Sequence, residues 1–108
     1  MQRVAQRVDL PRSNQEEYLR LHRAVWPEVE ATLTHAGIRN YSIFLVDEHL
    51  FAYFEVDDAT SLSEASAAIA RDPKTRQWWT LTDPLQRRLK GTPDGEQWLT
   101  LKEIWHLD

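Results

Sequence analysis

The chain has 108 residues, 13 Lys and Arg against 17 Asp and Glu for a formal charge of −4, and no cysteine. That length fits one domain over residues 1–108, the acidic balance argues against nucleic acid as a partner because phosphate binding needs a basic face, and the lack of cysteine excludes disulfides, thiolate catalysis and cysteine zinc sites. No run approaches the about eighteen consecutive apolar residues of a membrane span, and the first ten residues carry no signal-type apolar segment, so a soluble cytoplasmic protein is expected.

Gln2 to Val8 alternates, with Val4, Gln6 and Val8 on one side and Arg3, Ala5 and Arg7 on the other, which predicts a strand broken at Leu10-Pro11. Ser13 followed by Glu16 fits a capping box at the start of a helix over 14–24. Tyr18, Leu21, His22 and Val25 fall within an arc of roughly 100° on that helix and face inward. Pro27 interrupts the run and suits the first turn of a second helix over 27–36, which buries Val29, Leu33 and Ala36 and stops at Gly37. Tyr41–Val46 and Leu50–Val56 are rich in aromatic and β-branched residues, and the short Asp47-Glu48-His49 connection predicts a hairpin. Asp58–Arg71 reads as a helix ended by Asp72-Pro73, Thr75–Leu89 as a further helix interrupted at Pro84, and Gly91–Gly95 as a loop. Leu99 to Leu107 alternates as the last strand. The order β-α-β-β-α-β is that of the α+β, ferredoxin-like arrangement, an antiparallel four-stranded sheet with helices on one face. The other face then needs cover, and a second copy of the chain in a homodimer supplies it economically.

Two constellations carry chemistry. Tyr18 and His22 stand four apart on one helix face, which suits proton transfer, or a core Tyr beside a His satisfied by a backbone carbonyl. Trp78 and Trp79 are adjacent, so only one indole can enter the core in the ordinary way; the other lines an interface or a pocket. Asp83 lies four residues past Trp79 and shares its face. An indole stacking on C–H groups beside a carboxylate accepting hydroxyl hydrogens suits a sugar, whereas a core Trp, a rim Trp and a turn-forming Asp make the plainer reading. The four histidines have no metal-ligand spacing, the three glycines form no phosphate loop, and no serine nucleophile elbow is present. A small neutral polar ligand, with neither metal nor cofactor, is the expectation.

These residues together resemble the L-rhamnose mutarotase family. The likeness runs through Glu17-Tyr18, His22, Val25-Trp26-Pro27-Glu28-Val29, Gly37, Asn40-Tyr41-Ser42-Ile43, Trp78-Trp79 and Asp83 to an apolar closing strand, nearly the whole chain. The resemblance implies a dimeric α+β barrel and the cofactor-independent interconversion of α and β anomers of a 6-deoxy-hexose. It implies His22 as proton donor and Tyr18, Tyr41, Trp78 and Trp79 as sugar-binding residues; Asp83 is added from its position after the Trp pair. The chain departs from the family before the last strand, where it reads Gly91-Thr92-Pro93-Asp94-Gly95-Glu96-Gln97-Trp98, and at its Ile104-Trp105-His106-Leu107-Asp108 end. L-rhamnose is therefore the default substrate, with L-fucose or another deoxy-aldose as the alternative. A non-catalytic ligand-binding barrel, or a cofactor-free oxygenase, is the competing class.

Overall fold

The structure is a computed structural model that describes residues 1–108. Its elements are β1 (Gln2–Asp9), α1 (Gln15–His22), α2 (Pro27–His35), β2 (Ile38–Val46), β3 (His49–Val56), α3 (Leu62–Arg71), α4 (Pro73–Thr82) and β4 (Leu99–Thr100), with single 3-10 turns at Arg12–Asn14 and Asp83–Leu85. The sheet is antiparallel throughout, in the order β2-β3-β1-β4, so β1 lies centrally between β3 and β4. This is the expected α+β arrangement, with both helical crossovers divided at a proline.

Each division has a local cause. Pro27 and Pro73 occupy first-turn positions, where a missing N–H costs nothing. Asp72 ends α3 and caps α4, its carboxylate accepting the Thr75 N–H at 2.9 Å and the Thr75 hydroxyl at 2.7 Å. These two hydrogen bonds hold its pKa below the usual carboxylate value. Gly37 stops α2 at φ +99°, and a Cβ there would meet Thr60 Cγ2 at 2.9 Å, so both backbone and space require glycine.

Strand alternation decides which face is covered. Val4, Val8, Ile38, Leu50, Ala52, Phe54 and Val56 are buried on the helical side. All but Ala52 fall in two apolar clusters, one with Ala65 of α3 and one in which Val8, Leu10 and Leu50 pack with Tyr18. Each fully buried Val or Leu contributes about 1.5–3 kcal/mol. The opposite face holds Arg7, Phe44, Val46, Phe51 and Leu99 and has no helix over it; Phe44 is 59% exposed.

Three sequence expectations need correction. The Ser13–Glu16 capping box does not form: Ser13 lies inside the 3-10 turn, and no side chain caps α1. The residues available there make tertiary bonds instead, Asn14 Nδ2 donating to the Leu85 carbonyl at 2.9 Å and Gln15 Nε2 to the Asp47 carbonyl at 2.7 Å. The helix expected to run to Leu89 stops at Thr82, because Pro84 cannot donate and the chain leaves through a 3-10 turn. The last strand is only Leu99–Thr100; beyond it Leu101 N–H reaches the Ala5 carbonyl and Glu103 pairs with Arg3, but Ile104, Trp105 and Leu107 find no partner strand.

Candidate active site

Tyr18 is the fixed point of the site. It sits at mid-helix in α1, buried in the cluster with Val8, Leu10 and Leu50, so its ring belongs to the core while its hydroxyl reaches beyond it. That hydroxyl accepts a hydrogen bond from Gln86 Nε2 at 3.2 Å. Burial raises the phenol's pKa well above its ordinary value, and the nearby Tyr41 and Asp83 add to the rise against the opposing Gln86 bond. Tyr18 is consequently a neutral hydroxyl in the physiological range.

One turn later His22 stacks on Tyr18, ring centroids 4.2 Å apart and planes 27° apart. Its Nδ1 lies 2.8 Å from the Tyr18 main-chain carbonyl. A carbonyl only accepts, so Nδ1 carries the proton and Nε2 is the nitrogen left for chemistry. The two readings of this residue thus coincide: a carbonyl satisfies one nitrogen and frees the other. Trp78 is buried and stands edge-on to His22 at 5.5 Å, and Trp26 stands edge-on to Trp78 at 5.3 Å. The result is an aromatic wall of Tyr18, His22, Trp78 and Trp26 contributed by α1, the Trp26-Pro27 joint and α4.

Tyr41 reaches the helical side through a bulge. Arg39 pairs with Glu55 and Ser42 with Tyr53, so three steps on β2 match two on β3, and the extra residue, Asn40, takes φ +52°. The insertion turns Tyr41 onto the face of Phe54, ring centroids 5.2 Å apart. Its phenol is desolvated, which pushes its pKa up to about 12, while an edge of the residue stays open to solvent.

Asp83 is half-buried in the 3-10 turn after α4, and burial raises its carboxyl pKa. No cation pairs with it; its side-chain contact is the Thr82 hydroxyl at 3.5 Å. Trp79 is half-buried on the neighbouring face of α4 and makes no ring contact with the cluster. Of the six residues singled out from sequence, Tyr18, His22 and Trp78 are joined by successive ring contacts, Tyr41 and Asp83 influence the Tyr18 hydroxyl electrostatically, and Trp79 stands apart. Trp26 and Gln86 were missed. Trp26 continues the spacing of four from Tyr18 and His22, a signal obscured by the proline beside it; Gln86 carries no local pattern at all.

A phenol, an imidazole with one free nitrogen and a half-buried carboxylate beside an indole wall can hold a hydroxylated ring by its C–H face and move a proton between two of its oxygens. Two surface clefts lack this combination. One, of about 300 Å3, runs between β1 and the C-terminal segment, where Arg3 and Glu103 neutralise each other; the other, of about 500 Å3, contains His35 without an aromatic wall. No group of His, Asp and Glu has the geometry of a metal site, and no helix is long and apolar enough to cross a membrane.

Comparison with known proteins gives a consistent result. A family described as L-rhamnose mutarotase matches residues 3–107. Proteins of that name from Listeria monocytogenes serotype 4b and Lactiplantibacillus plantarum are 38% and 35% identical, covering 99% and 100% of both chains respectively. Another from Opitutus terrae is 37% identical over 85% of each chain. Among solved structures, L-rhamnose mutarotase FA22100 from Formosa agariphila matches with a TM-score of 0.74 over 100% of both chains at 23% identity, a likeness of fold.

Proposed function

The chain belongs to the L-rhamnose mutarotase family, and from that membership we propose that it interconverts the α and β anomers of a 6-deoxy-hexose, L-rhamnose by default, using its own side chains alone. Opening a pyranose moves one proton from the anomeric hydroxyl to the ring oxygen as the bond from C1 to the ring oxygen breaks and the carbonyl forms. Rotation about the C1–C2 bond presents the other carbonyl face, and the reverse transfer closes the ring. Neither electrons nor groups leave the sugar, so the reaction calls for no metal or nucleotide.

His22 is the proton donor in this reading, and Nε2 is the donating atom because Nδ1 is held by the Tyr18 carbonyl. Nε2 first takes the proton of the anomeric hydroxyl, which makes the ring an imidazolium, and then delivers that proton to the ring oxygen, so one imidazole serves both oxygens and ends as it began. Tyr18 and Tyr41, both neutral phenols whose pKa values are raised further by desolvation, hold sugar hydroxyls; Trp78 and Trp79 flank the less polar sugar face; Asp83 accepts a hydroxyl hydrogen. The single observation that carries the reading is the Tyr18–His22–Trp78 stack, with one imidazole nitrogen pinned and the other free.

The uncovered sheet face, with Phe44, Val46 and Phe51, and the unpaired Ile104, Trp105 and Leu107 support a homodimer of this single 1–108 unit. Its place in the cell is the cytoplasm, where free aldoses are metabolised. Anomer-exchange NMR with L-rhamnose, L-fucose and other aldoses tests the function: accelerated exchange of a deoxy-sugar supports it, whereas binding without acceleration, or inert behaviour toward every sugar, contradicts it.

A further inference from the structure

Resting on the reading above, we propose that Gln97 and Gln86 form an amide relay that fixes the direction of the Tyr18 hydroxyl, making that O–H a donor to the sugar, and that the loop before β4 acts on the site through it. The Asp83 main-chain carbonyl only accepts, so Gln97, 3.4 Å away, must present its NH2 group to it. The same NH2 donates its second hydrogen to Gln86 Oε1 at 3.0 Å. With Oε1 so engaged, Gln86 turns its own NH2 toward Tyr18 and donates to Oη at 3.2 Å. Flipping either amide sets two donors or two acceptors against each other, so the orientation propagates from a backbone carbonyl to the phenol. Tyr18 Oη therefore accepts from Gln86, and its own proton is directed away from Gln86. Gln97 lies in the Gly91–Trp98 stretch, where the chain departs from its family, and so this loop is tied to the site without touching the sugar. Gln86 and Gln97 are positioning residues.

Acceptor-only replacements of nearly unchanged shape test the relay. Gln86→Glu keeps the bond from Gln97 but obliges Tyr18 to donate to the carboxylate, removing the hydroxyl's proton from the sugar. Gln86→Met removes the polar group and leaves that proton free. The relay predicts about tenfold slower anomer exchange at saturating sugar for Gln86→Glu and a loss of no more than about twofold for Gln86→Met, one hydrogen bond being the difference. Gln97→Glu reverses the Gln86 amide and lowers exchange as Gln86→Glu does, but has no further effect in the Gln86→Met background. Lowering the pH until the introduced carboxylate is protonated restores a donor toward Tyr18, so the Gln86→Glu rate recovers relative to the parent at the same pH; Asp83, Tyr41 and His22, the ionisable groups around Tyr18, are common to both proteins. A role in packing alone predicts the opposite order, Met worse than Glu, and additive losses in the double variant; either result overturns the relay. A parent chain that accelerates no sugar's exchange overturns the proposed activity and this inference with it, which separates the two failures.

Discussion

Asp83 has lost much of its hydration and gained no cation in return, a cost that the 3.5 Å contact from the Thr82 hydroxyl offsets in part and a ligand's hydroxyls would offset further. Because burial raises its folded pKa, the folded state holds its proton more tightly than the unfolded chain does. Stability linked to this group is therefore greatest below the unfolded carboxylate range and declines as pH rises through the elevated folded value. Asp83→Asn removes that decline: its Tm at neutral pH exceeds the parent's, and the pH profile flattens over that window. The same change weakens sugar affinity by about 1 kcal/mol, a charge-assisted hydrogen bond becoming a neutral one. Calorimetry across pH with a sugar titration checks both; a lower neutral-pH Tm with unchanged affinity contradicts the assignment. The Trp pair separates at the same scale. Trp78 is buried against His22 and Trp26, so Trp78→Ala costs about 3–5 kcal/mol of stability, whereas Trp79→Ala loses sugar binding with a much smaller change in urea midpoint.

At the scale of elements, the bulge in β2 decides whether Tyr41 faces the site. Asn40 tolerates its positive φ as few other side chains do. Asn40→Val places a β-branched residue in that conformation and costs about 1–3 kcal/mol, or shifts the register and turns Tyr41 to the open face. Asn40→Gly keeps both stability and Tyr41 fluorescence near the parent's; equal behaviour of the Val and Gly variants contradicts the role given to the bulge. This element also marks the limit of what sequence alone conveyed. Strand and helix order, the helix joints at Pro27 and Asp72-Pro73, and the stop at Gly37 follow from two-residue and 3.6-residue periods and from backbone restrictions, which are local. The inward turn of Tyr41 depends on how many residues of β2 oppose β3. The fate of Asn14 and Gln15 depends on where the Leu85 and Asp47 carbonyls arrive, and β4 stops at Thr100 although β1 runs on beside it to Gln2. The site divides in the same way: Tyr18, His22 and Trp78 were legible from spacing on two helices, whereas Gln86 meets Tyr18 across 68 positions of chain.

Over the whole molecule the asymmetry between sheet faces sets the expected assembly. One face packs on four helices; the other leaves Phe44 and Phe51 open, with Arg7 over the Phe51 ring at 5.6 Å and its buried Nε without a partner. The unpaired end of the chain adds Ile104 at 90% exposure and Trp105 at 74%. Sedimentation equilibrium at micromolar concentration is expected to give twice the 12.7 kDa chain mass. Phe44→Arg places a charge on the open face along the edge strand β2 and is expected to yield the 12.7 kDa species with unchanged far-ultraviolet dichroism. A parent that sediments as a stable monomer contradicts the dimer.

The central claim is that His22 Nε2 moves the proton, and magnetisation transfer between the two anomeric protons of L-rhamnose reads it directly. The uncatalysed reaction proceeds in water and no catalyst alters the equilibrium, so the exchange rate alone is informative. The parent accelerates exchange; a folded His22→Ala variant slows it by roughly 10²–10⁴, the usual contribution of a positioned acid or base. Arg20→Ala, on the outer face of the same helix, leaves the rate unchanged. A folded His22→Ala protein that exchanges L-rhamnose as fast as the parent would contradict the account and return His22 to the ordinary role of a core histidine held by a carbonyl.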